Sequence, residues 1–369
     1  MQNLPLQFSE TIIFALRSLY NRYGYSQFRM GKFEEYDLYA RNKDFLISDS
    51  VLTFMDQSGK LMALKPDVTL SIVKNSKDMP DTLQKLYYNE NVYRVPKGAR
   101  SFREMMQVGL EALGNVDDYC ISEVLGLAAQ SLGCIARESV LDISHMGLLS
   151  EVLEAVGIPY SAKGRVLKCI GEKNLHGLEE ACRELGVASE QVSLIKQLIS
   201  CCGAPRQVLP QLRTLLGNVG RQWLEQLSNI LEAPIFENVE TAVRFDFSVV
   251  NDSRYYNGIV FKGYVPGVAS AVLSGGQYDS LMQRMHRRSS AIGFAVYMDV
   301  VEQLTQKSPE YDVDTVLLYD AGTALPEIYR HVSRLKDDGR SVLVQQQVPE
   351  TIKYRQLLKL TGGEVVTLG

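Results

Sequence analysis

Apolar residues recur at helical spacing near the start of the chain, where Ile12, Ile13, Leu16, Leu19, Tyr20 and Tyr23 fall on one stripe. The spacing predicts an amphipathic helix with Ser9 as its N-cap and Gly24 as its stop. From Lys43 to Leu64 the texture changes to short β-rich runs, VLTFMD and KLMALKP, joined by Gln57-Ser58-Gly59, whose composition suits a hairpin turn. A short helix is predicted after Pro66. LYYNENVYR (Leu86–Arg94) and REMMQVGLEAL (Arg103–Leu113) flank the loop VPKGARSF and together predict a long hairpin closed by Gly114. Ile121, Val124, Leu125, Ala128 and Leu132 then return to helical spacing up to Gly133, and VLDISH follows as a buried-strand pattern.

From about Gly147 to Leu231 the chain is Leu-rich and interrupted at Gly157-Ile158-Pro159, Gly171, Gly203-Ala204-Pro205 and Gly217, which predicts a purely helical block. Strand texture returns after Pro234 in AVRFDFSVV, YYNGIVFKGYV and ASAVLSGG. A short helix DSLMQRM, a strand AIGFAVYM and a helix from Asp299 to Thr305 follow. Strands on both sides of a helical block imply one antiparallel sheet domain, residues 1–147 and 232–306, with residues 148–231 inserted into it. Beyond a linker at Lys307-Ser308-Pro309-Glu310, residues 310–369 predict a small α/β domain. Its expected elements are strand Thr315–Tyr319, helix Pro326–Lys336, strand Ser341–Gln345, helix Glu350–Leu360 and strand Glu364–Leu368.

Composition narrows the class. The 369 residues are 46% hydrophobic and 22% charged, ordinary values for a globular chain of two or three domains. A formal net charge of -4 is the wrong sign for a protein whose main partner is a phosphate backbone. MQNLPLQFSE lacks the basic and apolar regions of a secretory leader, and no run of about 18 apolar residues occurs, so a cytoplasmic location is expected. Six cysteines without a C-x-x-C pair, and four histidines, make no zinc ligand set. The sequence carries no Walker-type loop, G-x-S-x-G or H-E-x-x-H, so neither a metal nor another cofactor is expected.

Candidate chemistry begins in REMMQVGLEAL, where a period of two puts Met106, Val108, Leu110 and Ala112 on one face and Met105, Gln107, Gly109 and Glu111 on the other. A carboxylate and an amide flanking a glycine either floor a polar ligand pocket or cover a solvated sheet face. Tyr256 and Gly258 repeat the pairing of a polar aromatic with a glycine. In LSGGQYDSLM, Gly275-Gly276 ends a strand and Tyr278 opens a helix, as a simple turn or as a close approach of backbone to ligand. In LKPDVT, Asp67 and Thr69 either cap a helix or bind an ammonium group. Arg94, Lys97, Arg100 and Arg103 around the hairpin loop either contact phosphate or are solvated.

These segments, in this order, resemble the catalytic core of class II aminoacyl-tRNA synthetases of the histidine type over roughly residues 1 to 305. VYRVPKGARSFREMMQVGLE is similar to that family's motif 2 hairpin, and YYNGIVF to the second half of its R-G-L-D-Y-Y-T-G-x-V-F segment. LSGGQYDSLM is similar to G-G-R-Y-D-x-L, and LKPDVT to L-R-P-E-x-T. The resemblance implies an α+β fold, an antiparallel sheet flanked by helices with a helical insertion. It assigns histidine to Asp67, Thr69, Arg94, Gln107, Glu111, Tyr255, Tyr256 and Tyr278, with Gln107 and Glu111 as the recognition pair and Asp67 and Thr69 on the amino group.

The departures carry as much information. Where R-G-L-D should precede Tyr255 the chain reads Asn251-Asp252-Ser253-Arg254, and where motif 3 should end G-L-E-R it reads Tyr297-Met298-Asp299-Val300. Asn251 and Val300 therefore replace two arginines, and the motif 2 loop lacks the acidic residue of active enzymes and is about one residue short. Adenylation needs cations where phosphate charge develops, so histidine activation is not expected and no residue is assigned a catalytic role. A kept amino-acid pocket without ATP chemistry resembles the regulatory subunits of ATP phosphoribosyltransferase. That resemblance implies pairing with a short catalytic subunit, histidine as feedback effector and self-association through the synthetase-like core, without membrane or nucleic-acid partners. The alternatives are an active histidyl-tRNA synthetase and a tRNA-binding pseudo-synthetase module.

Overall fold

The computed structural model describes residues 6–46, 51–95, 101–236, 239–250, 256–305 and 311–368. The chain forms two compact units, Met1–Leu304 and Thr305–Gly369.

The first unit opens with α1 (Phe8–Arg22), whose buried stripe is Ile12, Leu16, Leu19 and Tyr20. Its N-cap is Gln7 and not Ser9. Gln7 and Glu10 form a reciprocal capping box, which leaves Ser9 inside the first turn. After Gly24, turned at a φ of 82°, come β1 (Ser26–Gln27), β2 (Phe33–Glu35), α2 (Tyr36–Arg41), β3 (Thr53–Met55) and β4 (Leu61–Leu64). Strands β2, β4 and β3 make a small antiparallel sheet. The helix expected after Pro66 is α3 (Val68–Asn75). The long hairpin is β5 (Leu83–Arg94) and β6 (Arg103–Gly114), paired from Leu83 opposite Gly114 to Arg94 opposite Arg103.

Helix α4 (Asp118–Ile135) starts on Asp117, which accepts the Cys120 amide at 2.9 Å. Strand β7 (Val140–His145) leads into the helical block: α5 (Met146–Ala155), α6 (Tyr160–Gly171), α7 (Leu175–Glu184), α8 (Ser189–Ser200), α9 (Pro205–Leu216) and α10 (Arg221–Leu231). The chain then returns through β8 (Ala242–Phe245), β9 (Ile259–Tyr264), β10 (Leu273–Gln277), α11 (Asp279–Arg284), β11 (Ser290–Tyr297) and α12 (Met298–Val301).

Eight strands form one sheet in the order β1-β5-β6-β11-β10-β9-β7-β8. The interior pairs are antiparallel, as expected, whereas β1 with β5 and β7 with β8 run parallel. The central sheet is therefore mixed, because the helical block is a crossover that returns the chain to β8 in the direction of β7. Alternation then decides what each face covers. Val108, Leu110 and Ala112 of β6 join Phe261 and Phe294 in a core closed by α1, α4 and the helical block. Leu86, Tyr88 and Leu113 point the other way, toward Tyr39, Val68, Leu70, Leu281 and Met282 of α2, α3 and α11.

One cluster of buried and half-buried groups fixes the helical block to the sheet. His145 lies on Trp223 with ring centroids 4.8 Å apart, and its Nδ1 accepts the Leu148 amide at 3.1 Å. Glu151 accepts both the Trp223 indole N–H and the Gly220 amide, at 2.8 and 2.7 Å.

The second unit contains β12 (Val313–Tyr319), α13 (Leu325–Asp337), β13 (Val342–Gln345), β14 (Tyr354–Thr361) and β15 (Glu364–Thr367), with sheet order β13-β12-β14-β15. The helix expected over 350–360 is instead β14. Leu358 and Leu360 are buried at a spacing of two while Arg355 stays exposed, so burial against α13 overrides the helix propensity of Leu, Lys and Gln.

Candidate functional site

Glu111 stands on the β6 face turned toward α3 and α11, and it is 2% exposed. Its carboxyl accepts two hydroxyl donors, Thr69 Oγ1 on Oε1 at 2.9 Å and Tyr278 OH on Oε2 at 2.7 Å. Thr69 comes from the first turn of α3, and Tyr278 follows the glycine strand β10 at the N-cap position of α11. Burial pushes the Glu111 carboxyl up to about 8, and the nearby Asp67 charge adds to this, while the two hydroxyls work against it.

Space for the carboxyl is made by missing side chains. A Cβ on Gly293, opposite Glu111 across β11, would lie 1.8 Å from Oε2. A Cβ on Gly109 would meet the Phe294 carbonyl at 2.2 Å and the Tyr88 hydroxyl at 2.5 Å. A Cβ on Gly276 would meet the Tyr256 ring at 2.5 Å. Of these, Gly293 and Tyr88 were not legible as site residues in the sequence. Gly293 reads as part of an ordinary apolar strand until the register sets it against Glu111.

Asp67 does cap α3, its Oδ1 accepting the Leu70 amide at 2.9 Å, and its Oδ2 faces Arg94 Nη2 at 3.7 Å. Arg94 also donates from Nε to the Pro66 carbonyl, so it braces the LKPDVT turn. Burial raises the Asp67 pKa, and the Arg94 charge opposes that shift. Behind this pair, fully buried Lys65 is matched by Glu90 at 2.9 Å. Gln107 is also buried, opposite Glu90 and Tyr297, and stands four residues from Glu111, ~13 Å along the strand. The gap between them lies over Gly109. Tyr88 and Tyr256 line the same region. Burial raises both phenols, and the charges of Glu111 and Asp67 add to it.

The structure thus gathers Asp67, Thr69, Arg94, Gln107, Glu111, Tyr256 and Tyr278 around one face of the sheet. Tyr255, Asn251 and Arg254 lie outside the described residues, as do Lys97 and Arg100 of the hairpin loop. Val300 is partly buried and packs against the large core. Among the described residues no three His, Cys, Asp or Glu side chains converge as a metal ligand set. Among them no helix is long and apolar enough to cross a membrane.

A mixed sheet with a long motif 2 hairpin, a β7–β8 helical crossover and a buried acid on the hairpin's return strand defines a class II aminoacyl-tRNA synthetase type of core. The family model for histidyl-tRNA synthetase matches residues 6–301, and the chain belongs to that family. The ATP phosphoribosyltransferase regulatory subunit of Oceanobacillus iheyensis is 25% identical over 292 residues, covering 78% of this chain and 72% of that protein. The histidine–tRNA ligase of Methanocaldococcus jannaschii is 29% identical over 290 residues, covering 77% and 68%. A solved Bacillus halodurans structure, described as an ATP phosphoribosyltransferase regulatory subunit/histidyl-tRNA synthetase, superposes with a TM-score of 0.76 at 24% identity, over 96% of this chain and 94% of that one.

Proposed function

We propose that this chain is a non-catalytic regulatory subunit of ATP phosphoribosyltransferase in histidine biosynthesis, acting in the cytoplasm. It is required by a short catalytic subunit and senses histidine for feedback inhibition. The name carried by the Oceanobacillus relative supports this reading. The observation that carries it is the coexistence of a kept acid–hydroxyl trio, Glu111 with Thr69 and Tyr278, and a packed Val300 where the resemblance expects a phosphate-binding arginine.

The trio is suited to an imidazole. Glu111 offers a buried acceptor for a ring N–H, and Tyr278 and Thr69 fix its orientation, so the bond forms without reorganisation in a site closed to water. Burial leaves a proton on Glu111 near neutral pH, and an incoming neutral imidazole shares it, so the contact becomes a charge-assisted carboxylate–imidazolium bond that contributes on the order of 1.5–3 kcal/mol. Asp67 serves the amino group, Gln107 and Arg94 frame the other end of the site, and Tyr256 forms a wall. On the ATP side, Val300 has no donor, and losing even one preorganised donor costs about a hundred- to thousandfold in rate.

An active histidyl-tRNA synthetase is the second reading, favoured by the Methanocaldococcus relative. Titration calorimetry of free histidine against the protein and against its complex with a copurified short phosphoribosyltransferase separates the two. Regulation predicts histidine binding and histidine-sensitive transferase activity without ATP–pyrophosphate exchange. No binding to either form removes the sensor role, and robust exchange restores the synthetase.

A further inference from the structure

The sheet register lays out the pocket face in rows. Glu111, Gly293, Gly276 and Val260 form one row across β6, β11, β10 and β9, and all four are buried. The adjacent row is Gly109, Ala295, Ser274 and Lys262, and Gln107 and Tyr297 begin the next. Ala295, Ser274, Lys262 and Tyr297 are only half-buried, so the same face that is sealed over Glu111 opens toward solvent here. The Ser274 and Tyr297 hydroxyls meet at 2.5 Å across β10 and β11.

Lys262 stands at the end of this open row. Its strand neighbours are Ser274 on β10 and Asp142 on β7. Both oxygens of Asp142 are taken by Arg244, at 2.9 and 3.1 Å. Two buried cations near this face are matched, Lys65 by Glu90 and Arg94 by Asp67. Among the described residues Lys262 has no carboxylate partner, and burial alone lowers its pKa. A half-buried ammonium paired in register with Ser274, whose hydroxyl is bonded to that of Tyr297, offers donors with no resident carboxylate to receive them.

We propose that Lys262, with the Ser274–Tyr297 hydroxyl pair, forms an oxyanion subsite beside the Glu111 pocket that takes a carboxylate or phosphate group. Three strand spacings, ~14 Å, separate Lys262 from Gly109, which fits the distal end of a ligand or a second ligand next to the first. The carboxylate source is the amino acid held at Glu111, and this arm rests on the proposed function. The phosphate source is a separate nucleotide or inorganic phosphate, and this arm stands without it.

Calorimetry and thermal melting of the full chain distinguish the sources, with histidine, histidinol, AMP and inorganic phosphate as probes. For a separate phosphate ligand, AMP or phosphate raises the Tm of the unaltered protein. Lys262→Met abolishes that shift, Lys262→Arg keeps it, and histidine affinity stays within about twofold. For the amino-acid carboxylate, Lys262→Met weakens histidine at least tenfold and leaves histidinol unchanged. Ser274→Ala keeps the charge and removes one hydroxyl, so it weakens the same probe to a lesser degree even where Lys262→Met misfolds. If Lys262→Met, folded with the parent's Tm, binds all four probes as the parent does, the subsite is refuted. Absent histidine binding with a Lys262-dependent phosphate response overturns the sensor role alone and supports the subsite.

Discussion

Replacing Glu111 by Gln tests the buried carboxyl through two separate readouts. In the folded chain the carboxyl titrates at about 8, displaced from an ordinary value near 4.5 by burial. Between those values the folded state holds a proton that the unfolded state has released, so stability from this group is present below 4.5 and is lost as pH rises through 8. From pH 5 to pH 8 the loss amounts to roughly 3–4 kcal/mol. Glu111→Gln has nothing to titrate, and its amide oxygen accepts only one of the two hydroxyls now shared by Thr69 and Tyr278, at a cost of about 1 kcal/mol. Urea unfolding should therefore find the variant slightly less stable at pH 5 and more stable by roughly 2–3 kcal/mol at pH 8. Histidine affinity, read by calorimetry, should fall by about 10- to 150-fold for loss of the charge-assisted bond. Parallel pH profiles for the two proteins, or undiminished histidine binding in the variant, would refute the reasoning.

Gly293→Ala places a Cβ 1.8 Å from Glu111 Oε2, so histidine binding should be lost and the melting temperature lowered. A variant that binds normally contradicts the packed geometry. His145, pushed down to about 4 by burial, has the opposite pH sign to Glu111, because the unfolded chain takes a proton that the folded chain refuses. Its stability is present above 6.5 and falls by roughly 3 kcal/mol as pH drops to 4, a slope that urea unfolding of His145→Ala should no longer show. Histidine-dependent ATP–pyrophosphate exchange should be absent from the purified protein, and placing arginine at Val300 alone should not restore it, since Asn251 also departs from the synthetase pattern.

The long hairpin was legible because alternation along Arg103–Leu113 fixes which residues share a face, and Glu111 and Gln107 stood out as polar positions on it. The stripe on α1 and the glycine-punctuated helical block were equally plain, since local periodicity depends only on neighbours in sequence. Residues defined by pairing were not. Gly293 and Tyr88 acquire meaning only when β11 and β5 are set against β6. The parallel partners β1 and β8 are short, at two and four residues, and leave little periodicity to detect. Helix propensity misled at β14, where Leu358 and Leu360 had to reach a core supplied by a distant helix.

The crossover between β7 and β8 has a consequence for assembly at the ribosome. Adjacent parallel strands are joined through residues 146–241, so β8 emerges only after the whole intervening bundle has been synthesised. The bundle's contacts are mostly short in sequence and form quickly, whereas the strand pair closes a loop of ~100 residues. The nascent chain therefore carries β7 with both backbone edges bare until the bundle is complete, since β9 as well as β8 follows it, and those edges are where a stalled or truncated product would stick to another copy.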